Sequence, residues 1–231
     1  MSKKTILVTG ASKGIGNATV RYLAGLKYHI LATARSEEPL AALKKSNSRR
    51  IDVVPTDLTD SGSIQKLTDF VRGQNMELTA MVHNAGGLIK KPFLELTDSD
   101  WNTMWNLNVM SAVRLLRALL PFFGKNAHIV TIGSMGGFQG SSKFPGLAAY
   151  STAKGALSIW TESMATELKE HNISVNCLCL GGVQTGMFET AFPGVKAPVK
   201  PDDIGEYIGD FALKGHRFLN GRVIPAALGD P

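Results

Sequence analysis

Apolar residues follow two different periodicities that alternate along the chain. Short runs rich in β-branched residues predict strands near 5–9, 28–34, 51–55, 79–83, 127–133, 173–180 and 222–226. Apolar positions three or four residues apart predict helices near 14–26, 37–46, 60–74, 99–123, 149–171 and 202–213. Alternation of this kind predicts the α/β class, with a doubly wound parallel sheet of about seven strands and helices on both faces.

The chain has 231 residues, a length that suits a single α/β domain. It contains no repeat, low-complexity tract or linker, so we predict one domain over 1–231. In parallel sheets, ligands bind beyond the carboxyl ends of the strands. Chemistry-bearing residues that directly follow a predicted strand are therefore candidates for one common site.

A glycine cluster follows the first predicted strand. Gly10, Gly14 and Gly16 separate the run that ends at Thr9 from the helical pattern that follows it. Glycines allow close backbone approach, and a helix N-terminus offers unpaired N–H groups, so this turn suits a pyrophosphate. Its spacing is not the Gly-x-Gly-x-x-Gly of the common dinucleotide fingerprint, and a plain tight turn is the alternative. The position between strand and helix favours the phosphate site.

Tyr150 and Lys154 lie four residues apart in a predicted helix and so share one face. A free phenol has a pKa near 10, and a nearby ammonium lowers that pKa, which would make Tyr150 a better acid or base at neutral pH. Ser134 follows the apolar run 127–133, and its hydroxyl can hold a substrate oxygen beside the phenol. Taken alone, a Tyr-x-x-x-Lys pair is more often an ordinary surface feature.

Taken together, these motifs resemble those of the short-chain dehydrogenase/reductase family, and they follow one another in the family's order. The likeness covers essentially the whole chain and also includes Asp57-Leu58, Asn84-Ala85-Gly86 and Asn108 within Asn106-Leu-Asn-Val109. The resemblance implies a Rossmann-like fold and hydride transfer between a nicotinamide cofactor and a carbonyl or alcohol substrate.

Residue roles are carried over from the resemblance. The implied catalytic residues are Asn108, Ser134, Tyr150 and Lys154: Tyr150 is the acid/base, Lys154 binds the nicotinamide ribose and lowers the pKa of Tyr150, Ser134 orients the carbonyl, and Asn108 supports a water relay near the lysine. The implied cofactor-binding residues are Gly10, Ser12, Lys13, Gly14, Ile15, Gly16, Arg35, Ser36, Asp57, Leu58, Asn84, Ala85, Gly86, Tyr150, Lys154, Gly182, Val183 and Thr185.

Three positions depart from the family's pattern. His83 replaces an asparagine that many members have before Asn84. Gly181-Gly182 replaces a usual Pro-Gly, which we expect to loosen the turn that carries Val183 to the cofactor. The loop 134–150 is also longer than the family's and rich in glycine, and the segment 185–200 is expected to form a short substrate lid.

The end of the second predicted strand predicts which cofactor is used. Ala34 and Arg35 stand where an enzyme that uses NAD usually has an acidic residue, and Lys13 lies on the same side. A guanidinium can bind the 2′-phosphate of NADP bidentately, and an ammonium adds a point charge. Glu37 and Glu38 argue for NAD, but they fall in the first turn of the next predicted helix, where acidic residues are favoured. The sequence therefore predicts NADP (NADPH).

Composition narrows the function classes. The formal net charge is +6, but the basic residues are dispersed without interleaved aromatics, so we predict no nucleic-acid binding. No apolar stretch reaches membrane-spanning length. Cys177 and Cys179 are the only cysteines and are expected to be reduced core thiols, so we predict no metal site and a cytoplasmic location.

Two functions remain after sequence analysis. The leading one is an NADP-dependent carbonyl reductase or alcohol dehydrogenase, with 3-oxoacyl thioesters, sugars, steroid-like or xenobiotic carbonyls as open substrates. The alternative is a catalytically inactive NADP-binding regulatory or scaffold protein, but Ser134, Tyr150 and Lys154 are all present. The family resemblance also implies a homotetramer or homodimer that pairs the long helices near 99–123 and 149–171.

Overall fold

A computed structural model describes residues 2–228 of the chain. The strands are β1 (Lys3–Thr9), β2 (Ile30–Ala34), β3 (Ile51–Pro55), β4 (Met76–His83), β5 (Phe123–Ser134), β6 (Ser174–Leu180) and β7 (Val223–Ala226). The α-helices are α1 (Gly14–Gly25), α2 (Glu37–Ser46), α3 (Ser61–Gly73), α4 (Asp98–Trp105), α5 (Ser111–Leu119), α6 (Ala148–Glu167), α7 (Gly186–Ala191) and α8 (Pro201–Lys214). Each predicted strand is present, so the predicted α/β class is confirmed.

The seven strands form one parallel sheet in the order β3-β2-β1-β4-β5-β6-β7. Strand order reverses between β1 and β4, because the chain leaves the β1–β2–β3 half of the sheet there and starts building the other half. The two connections that leave β1 and β4 run in opposite directions, which opens a crevice at the carboxyl ends of these strands. This crevice is where a Rossmann-like fold binds its ligand.

Both faces of the sheet carry an apolar core. Successive residues of a strand point to opposite faces, so Leu7 packs in one core with Leu67 and Leu115, and Val8 packs in the other with Ile208. All five side chains are fully buried. Strands buried on both faces read as continuous apolar runs, which is why the sequence pattern located them. Within residues 2–228, no helix has the length and apolar character needed to cross a bilayer.

Two helical segments differ from the sequence prediction. The region 99–123 was predicted as one helix, but a π-helical turn at Asn106–Met110 separates α4 from α5, and β5 already begins at Phe123. The short helix α7 was not predicted, because six residues are too few to show a helical period. Single π-turns within helices frequently occur at functional sites, and this one contains Asn108.

Two histidines are fully buried within the sheet. Near the middle of β5, His128 Nδ1 lies 3.1 Å from the Ala212 carbonyl and Nε2 lies 2.9 Å from the Asn176 amide nitrogen. At the end of β4, His83 lies between the hydroxyls of Thr9 and Ser111. Burial lowers the pKa of His128 to about 4 and that of His83 to about 3, with the charge of Lys154 adding to the second shift.

These histidines should make the fold sensitive to mild acid. A base whose pKa is lowered by folding binds more protons when unfolded, so stability is fully present above pH about 6.5 and falls as the pH drops toward about 4. Each histidine should contribute a slope of up to about 1.4 kcal/mol per pH unit in that window. Urea unfolding of wild type and His83→Asn between pH 4.5 and 7.5 measures this slope.

The asparagine variant should be less sensitive to pH than wild type, because it removes one titrating group from the core. The exposed His171, replaced in the same way, is the matched control for the substitution itself. Equal slopes for wild type and His83→Asn would show that folding does not lower the pKa of His83.

Candidate active site

A single cavity of about 960 Å³ opens at the carboxyl ends of the strands, across the point where strand order reverses. Its lining includes every site residue predicted from the sequence except Gly16: Gly10, Ser12, Lys13, Gly14, Ile15, Arg35, Ser36, Asp57, Leu58, Asn84, Ala85, Gly86, Asn108, Ser134, Tyr150, Lys154, Gly182, Val183 and Thr185. The topology therefore brings together residues that lie up to 175 positions apart, from Gly10 to Thr185.

The glycine loop has backbone geometry that requires glycine at two positions. Gly10 has a φ of +66° and Gly14 a φ of +59°, both in the left-handed region. Gly16 lies behind the lining, where a Cβ atom would stand 2.5 Å from the Gly10 carbonyl oxygen. Asn84 fixes the loop from β4 by donating its side-chain amide to the carbonyls of Thr9 (3.1 Å) and Gly10 (3.3 Å).

The N-terminus of α1 points into this part of the cavity with its donors free for an anion. Lys13 is the N-cap residue, its side chain makes no capping hydrogen bond, and the first turn of α1 contains no acidic residue. The first N–H groups of a helix have no partner within the helix, and they carry the positive end of its dipole. Together with the close-approaching glycines, they fit the pyrophosphate of a dinucleotide.

The strand ends of β2 and β3 form the far end of the cavity. Arg35 and Ser36 line it, whereas Glu37 and Glu38 do not; they lie in the first turn of α2, as the sequence pattern indicated. The Asp57 carboxylate accepts hydrogen bonds from the Thr59 N–H (2.8 Å) and hydroxyl (2.7 Å). These bonds lower the pKa of Asp57, and the charge of Arg35 adds to the effect, so the carboxylate is held ionised in a fixed orientation.

The other end of the cavity contains the tyrosine, lysine and serine. Tyr150 lies in the first turn of α6 and Lys154 lies one turn later, while Ser134 ends β5. The Lys154 ammonium is buried, donates to the Ile132 carbonyl (2.8 Å) and lies 6.0 Å from the centre of the Tyr150 ring. Burial lowers the pKa of Lys154 to about 8.

The pKa of Tyr150 moves in the direction opposite to the sequence prediction. Burial raises it above 10, and the hydrogen bond with Ser134 lowers it by less. The Lys154 ammonium, which donates to the Ile132 carbonyl, does not offset this rise. The protein alone therefore keeps the phenol protonated at neutral pH, which suits a proton donor.

Asn108 connects the π-turn to the segment after β4. Its side-chain amide donates to the carbonyls of Gly87 (3.0 Å) and Met104 (2.9 Å), and its oxygen accepts from the Gly87 N–H (3.3 Å). A Cβ atom on Gly86 would lie 2.6 Å from that oxygen and 3.3 Å from the Lys154 nitrogen. Only glycine at position 86 leaves room for both the Asn108 and the Lys154 side chain beside this segment.

Thr9, the residue directly before the glycine loop, supports the cavity from the end of β1. Its hydroxyl accepts from the Ala85 N–H (2.9 Å) and lies 3.5 Å from His83 Nδ1, while His83 Nε2 lies 3.2 Å from the Ser111 hydroxyl. The histidine that departs from the family's pattern thus joins β1 and β4 to α5 below the cavity.

The two cysteines are free and buried, as predicted. They lie on the same face of β6 with their sulfur atoms 3.9 Å apart, against the Ser158 hydroxyl of α6. Within residues 2–228, no three His, Cys, Asp or Glu side chains come together as a metal-binding group.

Gly181 is held more firmly than the sequence comparison suggested. Its N–H donates to the Ala226 carbonyl (3.2 Å), and a Cβ atom at this position would lie 2.7 Å from the Ala227 Cβ. A proline could neither make this bond nor fit beside Ala227. The Gly181-Gly182 pair therefore belongs to a turn that is tied to the end of β7, and the expectation of a loosened turn is wrong.

Gly181→Pro should destabilise the protein although it restores the family's usual residue. The lost hydrogen bond and the steric overlap together should cost about 2–4 kcal/mol in the free energy of unfolding. Gly181→Ala keeps the N–H and should fall between wild type and the proline variant. Gly73→Ala is the control, since a Cβ there meets nothing within 4 Å. Chemical denaturation measures all four proteins, and a proline variant as stable as wild type would contradict the prediction.

Comparison with known proteins agrees with this architecture. The family model for short chain dehydrogenases matches residues 4–196. The 3-oxoacyl-[acyl-carrier-protein] reductase FabG of Escherichia coli K12 is 32% identical over 186 residues, covering 80% of this chain and 75% of that protein. The ketoacyl reductase HetN of Nostoc is 30% identical and covers 86% of this chain and 69% of that protein.

Two solved structures have the same fold. A short chain oxidoreductase of Pseudomonas aeruginosa PAO1, solved with NADPH, has a TM-score of 0.88 at 24% identity and covers 97% of this chain and 95% of that one. L-sorbose reductase of Gluconobacter frateurii, solved with NADPH and L-sorbose, has a TM-score of 0.87 at 24% identity and covers 99% and 97%. Together with the family match over most of its length, these findings show that the chain belongs to the short-chain dehydrogenase/reductase family of oxidoreductases.

Proposed function

We propose that the protein is an NADP-dependent oxidoreductase that transfers a hydride between NADPH and a carbonyl or alcohol substrate. One observation carries the proposal: a single cavity joins the glycine loop and Arg35 at one end to Ser134, Tyr150 and Lys154 at the other. A nucleotide bound along the cavity would thus end beside a proton donor. A catalytically inactive regulatory or scaffold protein would not need all three reactive side chains at that end.

The preference for NADP rests on charge at the adenosine end of the cavity. Arg35 and Lys13 line it together, and a 2′-phosphate would receive a bidentate guanidinium and a second positive charge. Glu37 and Glu38, the residues that would favour NAD, lie outside the lining. The two similar structures named above were solved with NADPH, which supports the same choice.

The chain's own groups divide the reaction between them. The cofactor, when bound, supplies or takes up the hydride. In the reducing direction, the Tyr150 phenol gives its proton to the carbonyl oxygen as the hydride reaches the carbonyl carbon, so the product is the alcohol. Ser134, which ends β5 and lines the same cavity as Tyr150, donates a hydrogen bond to the same oxygen and holds it beside the phenol.

Lys154 and Asn108 support this proton transfer. A cationic Lys154 stabilises the phenolate that Tyr150 becomes after it has given up its proton, and it can bind the hydroxyls of the nicotinamide ribose. Asn108 fixes the segment at Gly86 and Gly87 against which Lys154 lies. The π-turn provides the geometry, because it directs the Asn108 side chain back toward β4.

The named relatives point first to 3-oxoacyl thioesters as substrates, since two of them are 3-oxoacyl and ketoacyl reductases. The net charge of +6 would attract anionic NADPH as well as an acidic acyl carrier.

Trp105 on α4 and Ile159 on α6 are large apolar side chains exposed to 45% and 63%, which supports pairing of these helices in a homo-oligomer. The free thiols of Cys177 and Cys179 support a cytoplasmic location.

The proposed function is tested by screening carbonyl compounds with NADPH and with NADH. The panel contains 3-oxoacyl thioesters, sugars, steroids and simple ketones, and NADPH consumption is followed by absorbance with the alcohol product identified separately. We expect reduction of at least one class, faster with NADPH. The inactive regulatory alternative would be favoured if the protein bound NADPH tightly but neither reduced any carbonyl with NADPH nor oxidised any alcohol with NADP.

A further inference from the structure

Three segments meet at the substrate end of the cavity, beyond Tyr150. The long loop after β5 contributes Phe144, the lid contributes Phe188 and Phe192, and the segment after β4 contributes Lys90. The Phe144 and Phe192 rings pack edge to face with centres 5.2 Å apart, and the Phe188 and Phe192 rings lie 5.0 Å apart. We call these three rings the aromatic wall. All three line the cavity, and each is only half-buried.

Lys90 connects the lid to the rest of this wall. Its ammonium donates to the carbonyl of Ala191, the last residue of α7 (2.7 Å), and lies 4.5 Å above the Phe192 ring. The neighbouring Lys91 N–H donates to the Gly146 carbonyl in the loop after β5 (3.0 Å). Two adjacent residues thus hold the loop and the lid against each other, and a cation over an aromatic face adds to the attraction.

The base of the lid is fixed from the other side. The Gln184 N–H donates to the Val199 carbonyl (2.8 Å), and the Gln184 side chain accepts from the Ala197 N–H (2.7 Å). The Phe188 ring lies against Gly182, where a Cβ atom would stand 3.1 Å from it. With both ends fixed and Lys90 holding α7, the aromatic wall has a defined position relative to Tyr150.

The remaining lining on this side is also apolar: Leu88, Met135, Leu147, Met187 and Val195. Among residues 2–228, the only charged side chain lining the cavity beyond the cofactor-binding and catalytic residues is Lys196, in the loop after α7. A polyhydroxylated substrate would bury hydroxyls here without partners, which costs binding energy for each unpaired group. An apolar group would instead gain contact with half-buried rings.

We propose that the aromatic wall is a substrate subsite for a ketone that carries an apolar, ring-sized group beside its carbonyl, and that Lys90 is the positioning residue that keeps the wall closed. An aromatic group beside the carbonyl would pack against these rings. The inference rests on the proposed function for the location of the carbonyl, which is placed at Tyr150 and Ser134.

The test measures binding and turnover separately. Acetophenone and dihydroxyacetone are titrated by calorimetry into the protein saturated with NADP, where no turnover can occur. We expect acetophenone to bind at least about tenfold more tightly, because each unpaired hydroxyl and each lost aromatic contact costs about that factor. Equal affinities, or tighter binding of dihydroxyacetone, would overturn the subsite whatever the enzyme reduces.

Two variants test whether the aromatic wall and Lys90 are responsible for the binding of acetophenone. Phe192→Ala should weaken acetophenone binding by about tenfold, and Lys90→Met should raise KM for acetophenone more than it lowers kcat, while both keep wild-type affinity for NADPH. Phe218→Ala and Lys66→Met replace exposed residues outside the cavity and serve as matched controls. Unchanged affinity of Phe192→Ala for acetophenone would show that the aromatic wall does not contact the substrate.

The outcomes distinguish this inference from the proposed function. If acetophenone binds the NADP-loaded protein, but neither acetophenone nor any other carbonyl is reduced with NADPH, the subsite is supported and the proposed oxidoreductase function is contradicted. If other carbonyls are reduced but acetophenone does not bind preferentially, the oxidoreductase function is supported and the subsite is contradicted.

Discussion

Tyr150→Phe should lower the rate of carbonyl reduction by about 10²–10⁴-fold, the range expected for a lost general acid. The substitution removes only the phenolic oxygen, so the ring should keep its packing in α6 and the proposed cofactor contacts of Lys154 should be unaffected. The dissociation constant for NADPH should therefore stay close to that of wild type. Steady-state kinetics on a proven substrate and fluorescence titration with NADPH give the two numbers.

Lys154→Ala is the variant to compare, because it should lower both the rate of carbonyl reduction and the affinity for NADPH. In the proposed function, Lys154 binds the nicotinamide ribose and stabilises the Tyr150 phenolate, so we expect the variant to lose turnover and NADPH affinity together. Wild-type turnover in Tyr150→Phe would contradict the acid/base role of the phenol. Unchanged NADPH affinity in Lys154→Ala would instead remove the ribose contact and leave Lys154 with an electrostatic role alone.

Arg35→Ala should weaken NADPH binding by about ten- to a hundredfold and leave NADH binding nearly unchanged. The expected loss corresponds to one charge-assisted hydrogen-bonding group, about 1.5–3 kcal/mol, since only NADPH has the 2′-phosphate that Arg35 would bind. Arg35 is exposed at the edge of the cavity, so its removal should not disturb the core. Dissociation constants for both cofactors, measured at fixed ionic strength, test this.

Arg49→Ala provides the control, because Arg49 is an exposed arginine that does not line the cavity. It should reproduce any general effect of lost positive charge on binding of an anionic cofactor. Equal affinity of the wild-type protein for NADPH and NADH would contradict the cofactor assignment. In that case Glu37 or Glu38 would have to reach the ribose from the first turn of α2.

The positions of strands and helices could be predicted because they depend on short-range patterns. Continuous apolar runs marked strands that are buried on both faces, and three- or four-residue spacing marked the amphipathic helices. The prediction failed at Asn106–Met110, where the helical pattern continues through a π-turn. One extra residue in a turn leaves the apolar spacing almost unchanged, so the pattern contains no sign of it.

The candidate site was predictable to the extent that each part is a local motif. The glycine loop, the Tyr150–Lys154 spacing and Arg35 each depend on residues next to one another in sequence. The direction in which the pKa of Tyr150 moves could not be predicted this way, because it depends on how deeply the phenol is buried and on where the Lys154 ammonium turns. The tie between Gly181 and the end of β7 involves residues 45 positions away and was equally invisible.

By itself, the sequence determined the class of fold, the order of its elements and the chemical identity of the groups that meet at the cavity. These follow from periodicity and from residue type, both of which are properties of neighbouring positions. Only the tertiary structure decided how the groups are arranged: Lys90 against α7, Phe144 against Phe192, and Lys154 against Ile132. Each of these contacts joins segments that the sheet brings together from distant parts of the chain, so distance in space, burial and hydrogen bonding determine them.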